Sequence, residues 1–158
     1  MNNVIKPPST LKYQGTCIFL AGSIEMGSAE DWQTIVTNDI NHTFTENLTI
    51  FNPRRDEWNS SWKQEQSSPQ FNEQVNWELN ALDHSDIIFM YFDPTTKSPI
   101  SLLELGLYSN KNMIVCCPDG FWRKGNVEIV CARHNIPLYN TLNDGVGALI
   151  TKIRQVND

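Results

Sequence analysis

"DIIFMYFDPTTKSPISLLELGLYSNKNMIVCCP", residues 86–118, sets two apolar runs on either side of a helical stretch that opens with proline. "DIIFMYF" (86–92) and "NMIVCCP" (112–118) are β-rich and too uniformly apolar for strands with one wet face, so they read as strands covered on both sides. Between them Ser98-Pro99 puts a cap residue before a proline at the first helical position, and a helix is expected over 99–110. Strand, helix, strand is the repeating unit of a parallel α/β sheet.

The unit recurs outward in both directions. Further strands are expected at "TCIFLA" (16–21), "LTIFN" (48–52) and "IPLYN" (136–140), and helices over about 28–44, 69–83, 125–134 and 141–155. Ser28 with Asp31 three residues on reads as a capping box, and Ser68-Pro69 repeats the serine–proline start. The expected architecture is α/β, a doubly wound sheet of about five parallel strands with helices on both faces. Residues 1–13 are expected to be an N-terminal tail and 14–158 a single domain, long enough to bury its own core. One long irregular segment, "NPRRDEWNSSWKQEQSSP" (52–69), carries two tryptophans and is expected to act as a lid.

Composition removes several function classes. A net charge of −6 disfavours binding to DNA or RNA, which rests on clustered Lys and Arg, so no polymeric nucleic acid is expected as partner. The first residues hold no apolar signal region, and the longest apolar runs are too short to cross a bilayer; a cytoplasmic protein without membrane partners is expected. Cys17, Cys116, Cys117 and Cys131 form no CxxC pair, so they read as buried thiols, and neither metal nor cofactor is expected.

In an open parallel sheet, ligands bind beyond the carboxyl ends of the strands. That edge carries "GSIEMG" (22–27), "NPRRDEW" (52–58), "DPTTKSP" (93–99) and "DGFWRKGN" (119–126). Gly22, Ser23 and Ile24 offer close backbone approach, Ser98 stands at the helix start, and Asp93 reads either as a sugar ligand or as plain Asp-Pro turn chemistry. Arg54 and Arg55 are either bidentate phosphate donors or surface partners of Asp56 and Glu57. Trp58 and Trp62 either cover a base or fill the space beneath the loop.

Two carboxylates stand in apolar company. In the 99–110 helix Ile100, Leu103 and Leu107 make one stripe, and Ser101, Glu104 and Tyr108 form the polar arc beside it. Side chains lean toward the helix start, so Glu104 points toward the ligand edge, or else it is an ordinary surface glutamate on that arc. In the 69–83 helix Phe71, Val75, Leu79 and Leu82 mark a buried stripe that Glu78 interrupts, either as a stripe-edge residue or as an acid whose pKa burial raises. Two such acids suit glycosyl chemistry, one attacking the anomeric carbon while another group assists the leaving group.

Together "IFLAGSIEMG", "FNPRRDEW", "QVNWELNALDHSDIIFMYF" and "SPISLLELGL" resemble the nucleoside 2-deoxyribosyltransferase-like proteins over roughly residues 16–133. The resemblance implies a flavodoxin-like fold, Glu104 of "LLELGL" as nucleophile, and Glu78, eight residues before Asp86, as the acid that meets the base. It also implies a homo-oligomer with shared active sites, in which a neighbouring subunit lends Asn126. Related hydrolases of deoxynucleoside 5′-monophosphates share the Gly22-Ser23-Ile24 segment, which would give Arg54 a phosphate to bind. The implied substrates are small: a deoxynucleoside or deoxynucleotide, and a nucleobase. The implied activity is N-glycosidic cleavage of a 2′-deoxyribonucleoside through a covalent deoxyribosyl-glutamate, with transfer to another base. Hydrolysis of monophosphates and a catalytically silent nucleotide sensor are the alternatives.

Overall fold

The computed structural model describes residues 1–25, 29–57, 59 and 61–158. Within these, the apolar runs form a six-stranded sheet: β1 (Asn3–Ile5), β2 (Thr16–Gly22), β3 (Leu48–Phe51), β4 (Ile87–Tyr91), β5 (Met113–Cys116) and β6 (Leu138–Tyr139). Every pairing is parallel, in the order β1-β3-β2-β4-β5-β6. The connecting helices are α1 (Trp32–Thr43), α2 (Pro69–His84), α3 (Pro99–Leu107), α4 (Lys124–Arg133) and α5 (Leu142–Asn157).

The 86–92 run shows why both faces had to be apolar. Ile87, Phe89 and Tyr91 turn toward Trp32, Val36 and Ile40 of α1 and Val146, Leu149 and Ile153 of α5. Ile88, Met90 and Phe92 turn the other way, into a cluster with Trp77 and Leu82 of α2, Leu105 of α3 and Val127 of α4. Strand alternation with both sides covered gives the doubly wound architecture.

Three details depart from the sequence expectations. Residues 1–13, expected as a tail, supply the sixth strand: Asn3, Val4 and Ile5 pair with Thr49, Ile50 and Phe51. Three residues are too few to show a period, so only the exposed flank of β3 reveals their partner. Helix α1 starts at Trp32 and is capped by Asp31, whose side chain accepts from Thr34 N at 3.2 Å; Ser28 of the expected capping box lies outside the described residues. Helix α2 buries Gln74, Trp77, Ala81 and Leu82, while Phe71, Val75 and Leu79 are half-buried. The ring of Trp77 decides that rotation by packing edge-on to Phe51 and tilted against Phe19.

Strand β2 is the switch point, with β3 on one side and β4 on the other. From its end the chain leaves for α1 on one face, whereas β4 leads to α3 on the opposite face. A crevice therefore opens beyond the carboxyl ends of β2 and β4.

Candidate active site

The crevice floor is a knot of hydroxyls. Ser23, 1% exposed, follows β2, and its Oγ lies 2.6 Å from Ser98 Oγ and 2.9 Å from Thr96 Oγ1, while the last two are 2.8 Å apart. Asp93 N donates to Ser23 Oγ at 2.8 Å, and Trp32 Nε1 donates to Ser23 O at 2.9 Å. These bonds lock the β2 and β4 loops together. Gly22 makes the approach possible: its φ is +135°, and a Cβ there would stand 2.1 Å from Tyr91 O. One oxygen of Asp93 accepts from Thr95 N and Thr95 Oγ1 at 2.9 and 2.7 Å, so at least that oxygen serves the turn. Ile24 is half-buried beside Ser23, and its carbonyl accepts from Ala29 N.

The two acids stand on α2 and α3, the helices that follow β3 and β4. The polar arc of α3 turns inward: Ser101, Glu104 and Leu105 are buried, and Glu104 is 8% exposed. Burial lifts its carboxyl to about 8, and the charge of nearby Glu78 adds to the rise. Glu78, on α2, is lifted by burial to about 7, with a hydrogen bond from Gln74 pulling the other way. Gln74 Nε2 donates to Glu78 Oε1 at 2.8 Å and to Pro53 O at 3.1 Å, fixing the acid against the β3 loop. One turn farther along, Tyr108 Oη donates to Asp83 Oδ1 at 2.9 Å and ties α3 to α2. The pair of acids is thus held by two helices on one face of the sheet.

The arginines are engaged within the protein. Arg54 donates through Nε to Gln33 Oε1 at 3.1 Å and through a terminal nitrogen to Ala29 O and Glu30 O at 3.1 and 2.8 Å. It staples the β3 loop to the start of α1. Arg55 reaches Glu73 Oε1 at 3.1 Å and lies over the Trp62 ring at 4.9 Å. Trp58 lies outside the described residues. Asn126 is exposed on α4 and borders a groove of about 330 Å³ between α3 and α4, with Leu102, Leu105, Trp122 and Val130. Ser98 and Ser23 thus lie together, Glu104 and Glu78 are electrostatic neighbours, and Asn126 stands on the α3–α4 side.

Sequence reasoning overlooked Gln74, Thr96 and Glu25. Gln74 could have been found, since it sits four residues before Glu78, the spacing at which helical side chains meet. Among the described residues no cluster of His, Cys, Asp or Glu is suited to a metal. All four cysteines are buried, and burial pushes each thiol well above its ordinary range. No described helix is long and apolar enough to cross a membrane.

A family model described as nucleoside 2-deoxyribosyltransferase like matches residues 15–121, well over half of the chain and a span that includes both acids. The chain belongs to the nucleoside 2-deoxyribosyltransferase-like family. Among solved structures, this family member is similar to a conserved protein from Enterococcus faecalis V583. The TM-score is 0.62 at 12% identity, covering 89% of this chain and 98% of that one, a likeness of fold. No curated protein matches the sequence.

Proposed function

We propose that this nucleoside 2-deoxyribosyltransferase-like chain cleaves the N-glycosidic bond of 2′-deoxyribonucleosides and passes the sugar to another nucleobase. The observation that carries the reading is the neighbouring pair of desolvated carboxylates, Glu104 and Glu78, beside the switch-point crevice. Burial without a cationic partner is costly for a structural residue, whereas displacement at an anomeric carbon needs one ionised and one protonated acid. Because the charge of one raises the pKa of the other, the pair favours holding a single proton near neutrality.

In the first half-reaction a Glu104 oxygen attacks C1′, the C1′–N bond breaks through an oxocarbenium-like state, and the departing base takes a proton from Glu78. Seating a base whose ring nitrogen accepts from Glu78 favours the proton on that acid and leaves Glu104 ionised. In the second half-reaction an incoming base attacks C1′, the ester to Glu104 breaks, and the proton of that base returns to Glu78. Water in place of the second base gives hydrolysis.

The reading includes a homo-oligomer. Ile100, Leu103 and Leu107 of α3 are 58%, 58% and 56% exposed, and Trp122 just before α4 and Ile129 on α4 are exposed too. Such a face calls for a cover, and a second copy that brings its own Asn126 to the α3–α4 side would complete the crevice. Incubation of the protein with deoxyadenosine and free cytosine should yield deoxycytidine and adenine by chromatography. Glu104→Ala should lower that turnover by three or more orders of magnitude with the fold intact. Equal turnover in the variant refutes the nucleophile.

A further inference from the structure

The turn after β2 sends a carboxylate to the start of α3. Glu25 Oε1 accepts from Ser98 N at 2.8 Å, across 73 residues of sequence. Ser98 occupies the cap position of α3, yet its own hydroxyl makes no cap bond and faces Ser23 and Thr96 instead. No acidic residue lies in the first turn of α3. The anion at this helix end is therefore imported from another loop. Both ends of the contact hold left-handed backbone, φ 47° at Glu25 and 45° at Ser98. Non-glycine residues adopt that conformation at a cost, which marks the contact as held by its surroundings.

The contact sits at the start of the helix that carries Glu104. Glu104 is six residues beyond Ser98, about 9 Å of helix rise, and its side chain leans back toward the helix start. If C1′ is taken at Glu104 and the base at Glu78 on α2, the helix start, where Ser98 meets Ser23, is the side left for the 5′ arm of the sugar. A 5′-phosphate would arrive where Glu25 already places negative charge and already uses the Ser98 amide. The cations of the neighbouring loops already have contacts within the protein, although Arg55 keeps Nε and one terminal nitrogen buried without a hydrogen-bond partner among the described residues. Arg54 is bound to Gln33 and to the carbonyls of Ala29 and Glu30, Arg55 to Glu73, and Lys97 lies over the Trp122 ring at 4.8 Å.

Resting on the glycosidase reading above, we infer that Glu25 is a specificity-determining residue that admits deoxynucleosides with a free 5′-hydroxyl and excludes their 5′-monophosphates. Glu25 is exposed, so a surface dielectric applies; there two like charges a few ångströms apart still repel strongly enough for discrimination of roughly a hundredfold. The test compares deoxyadenosine with its 5′-monophosphate on the wild-type chain and on Glu25→Gln, which keeps an acceptor for Ser98 N but removes the charge. Both kcat/KM and the thermal shift each ligand induces are measured. The expected result is a wild-type preference for the nucleoside of about a hundredfold, narrowed at least tenfold in Glu25→Gln. A merely structural loss would lower both substrates together and leave the ratio in place. An unchanged ratio in the variant, or a wild-type preference for the monophosphate, overturns the inference. Ligand binding without turnover overturns the glycosidase reading alone, since the thermal-shift ratio still tests Glu25; neither turnover nor binding overturns both.

Discussion

Replacing Glu104 by glutamine should stabilise the protein at alkaline pH and leave it little changed in mild acid. The carboxyl is 8% exposed and is lifted by burial from an ordinary value of 4.5 to about 8. Between those values the native chain keeps a proton that the unfolded chain has already released, so stability falls as pH rises through the window. The gap from 4.5 to about 8, at about 1.4 kcal/mol per pH unit, sets a ceiling of roughly 5 kcal/mol. A buried amide has its own desolvation cost of about 1–3 kcal/mol, which leaves the variant about 2–4 kcal/mol ahead near pH 8.5. For a domain of this size each kcal/mol moves Tm by about 2–4 °C, so a rise of roughly 4–16 °C is expected. Near pH 5 the native acid is neutral, and the advantage should shrink to about 1 kcal/mol or less, or reverse. Urea unfolding or thermal melts of both proteins at the two pH values supply the measurement. A difference that does not change with pH would show that Glu104 is solvated and would remove the basis of the catalytic role proposed for it.

Two further outcomes follow from the same geometry. Gln74→Leu removes the one hydrogen bond that favours ionised Glu78, so burial acts unopposed and Glu78 holds its proton to higher pH. The alkaline limb of the kcat/KM profile should then move up by about half to one pH unit, and a limb that stays or moves down contradicts Glu78 as the proton donor. Leu103→Glu puts a charge in the middle of the exposed stripe of α3 and should weaken self-association by about a hundredfold or more in sedimentation runs. A wild-type protein that sediments as a monomer at micromolar concentration refutes the covered-face reading.

Much of the candidate site was legible because its carriers lie on regular elements. The runs at 86–92 and 112–118 stayed strands, Pro99 opened α3, and the strand ends delivered Ser23, Asp93 and Ser98 to one crevice. Glu104 and Glu78 stood out as charges in apolar stretches, and both are lifted by burial. Rotation about the helix axis was a different matter. On α3 the apolar stripe of Ile100, Leu103 and Leu107 faces outward and the arc with Glu104 faces in, the reverse of ordinary amphipathic packing. On α2 the polar Gln74 is buried because Pro53 O and Glu78 both accept from it.

The amino-acid order by itself determined which segments are strands and helices and which loops share an edge, because apolar periodicity, proline and cap residues act within a few positions of one another. Tertiary structure alone decided that residues 3–5 join the sheet, that Arg54 is held by backbone carbonyls, and that the Glu25 carboxylate caps a helix 73 residues away. Those partners meet only when the sheet closes around β2. Hydrogen bonds and charges depend on distance in space, and no local pattern records it.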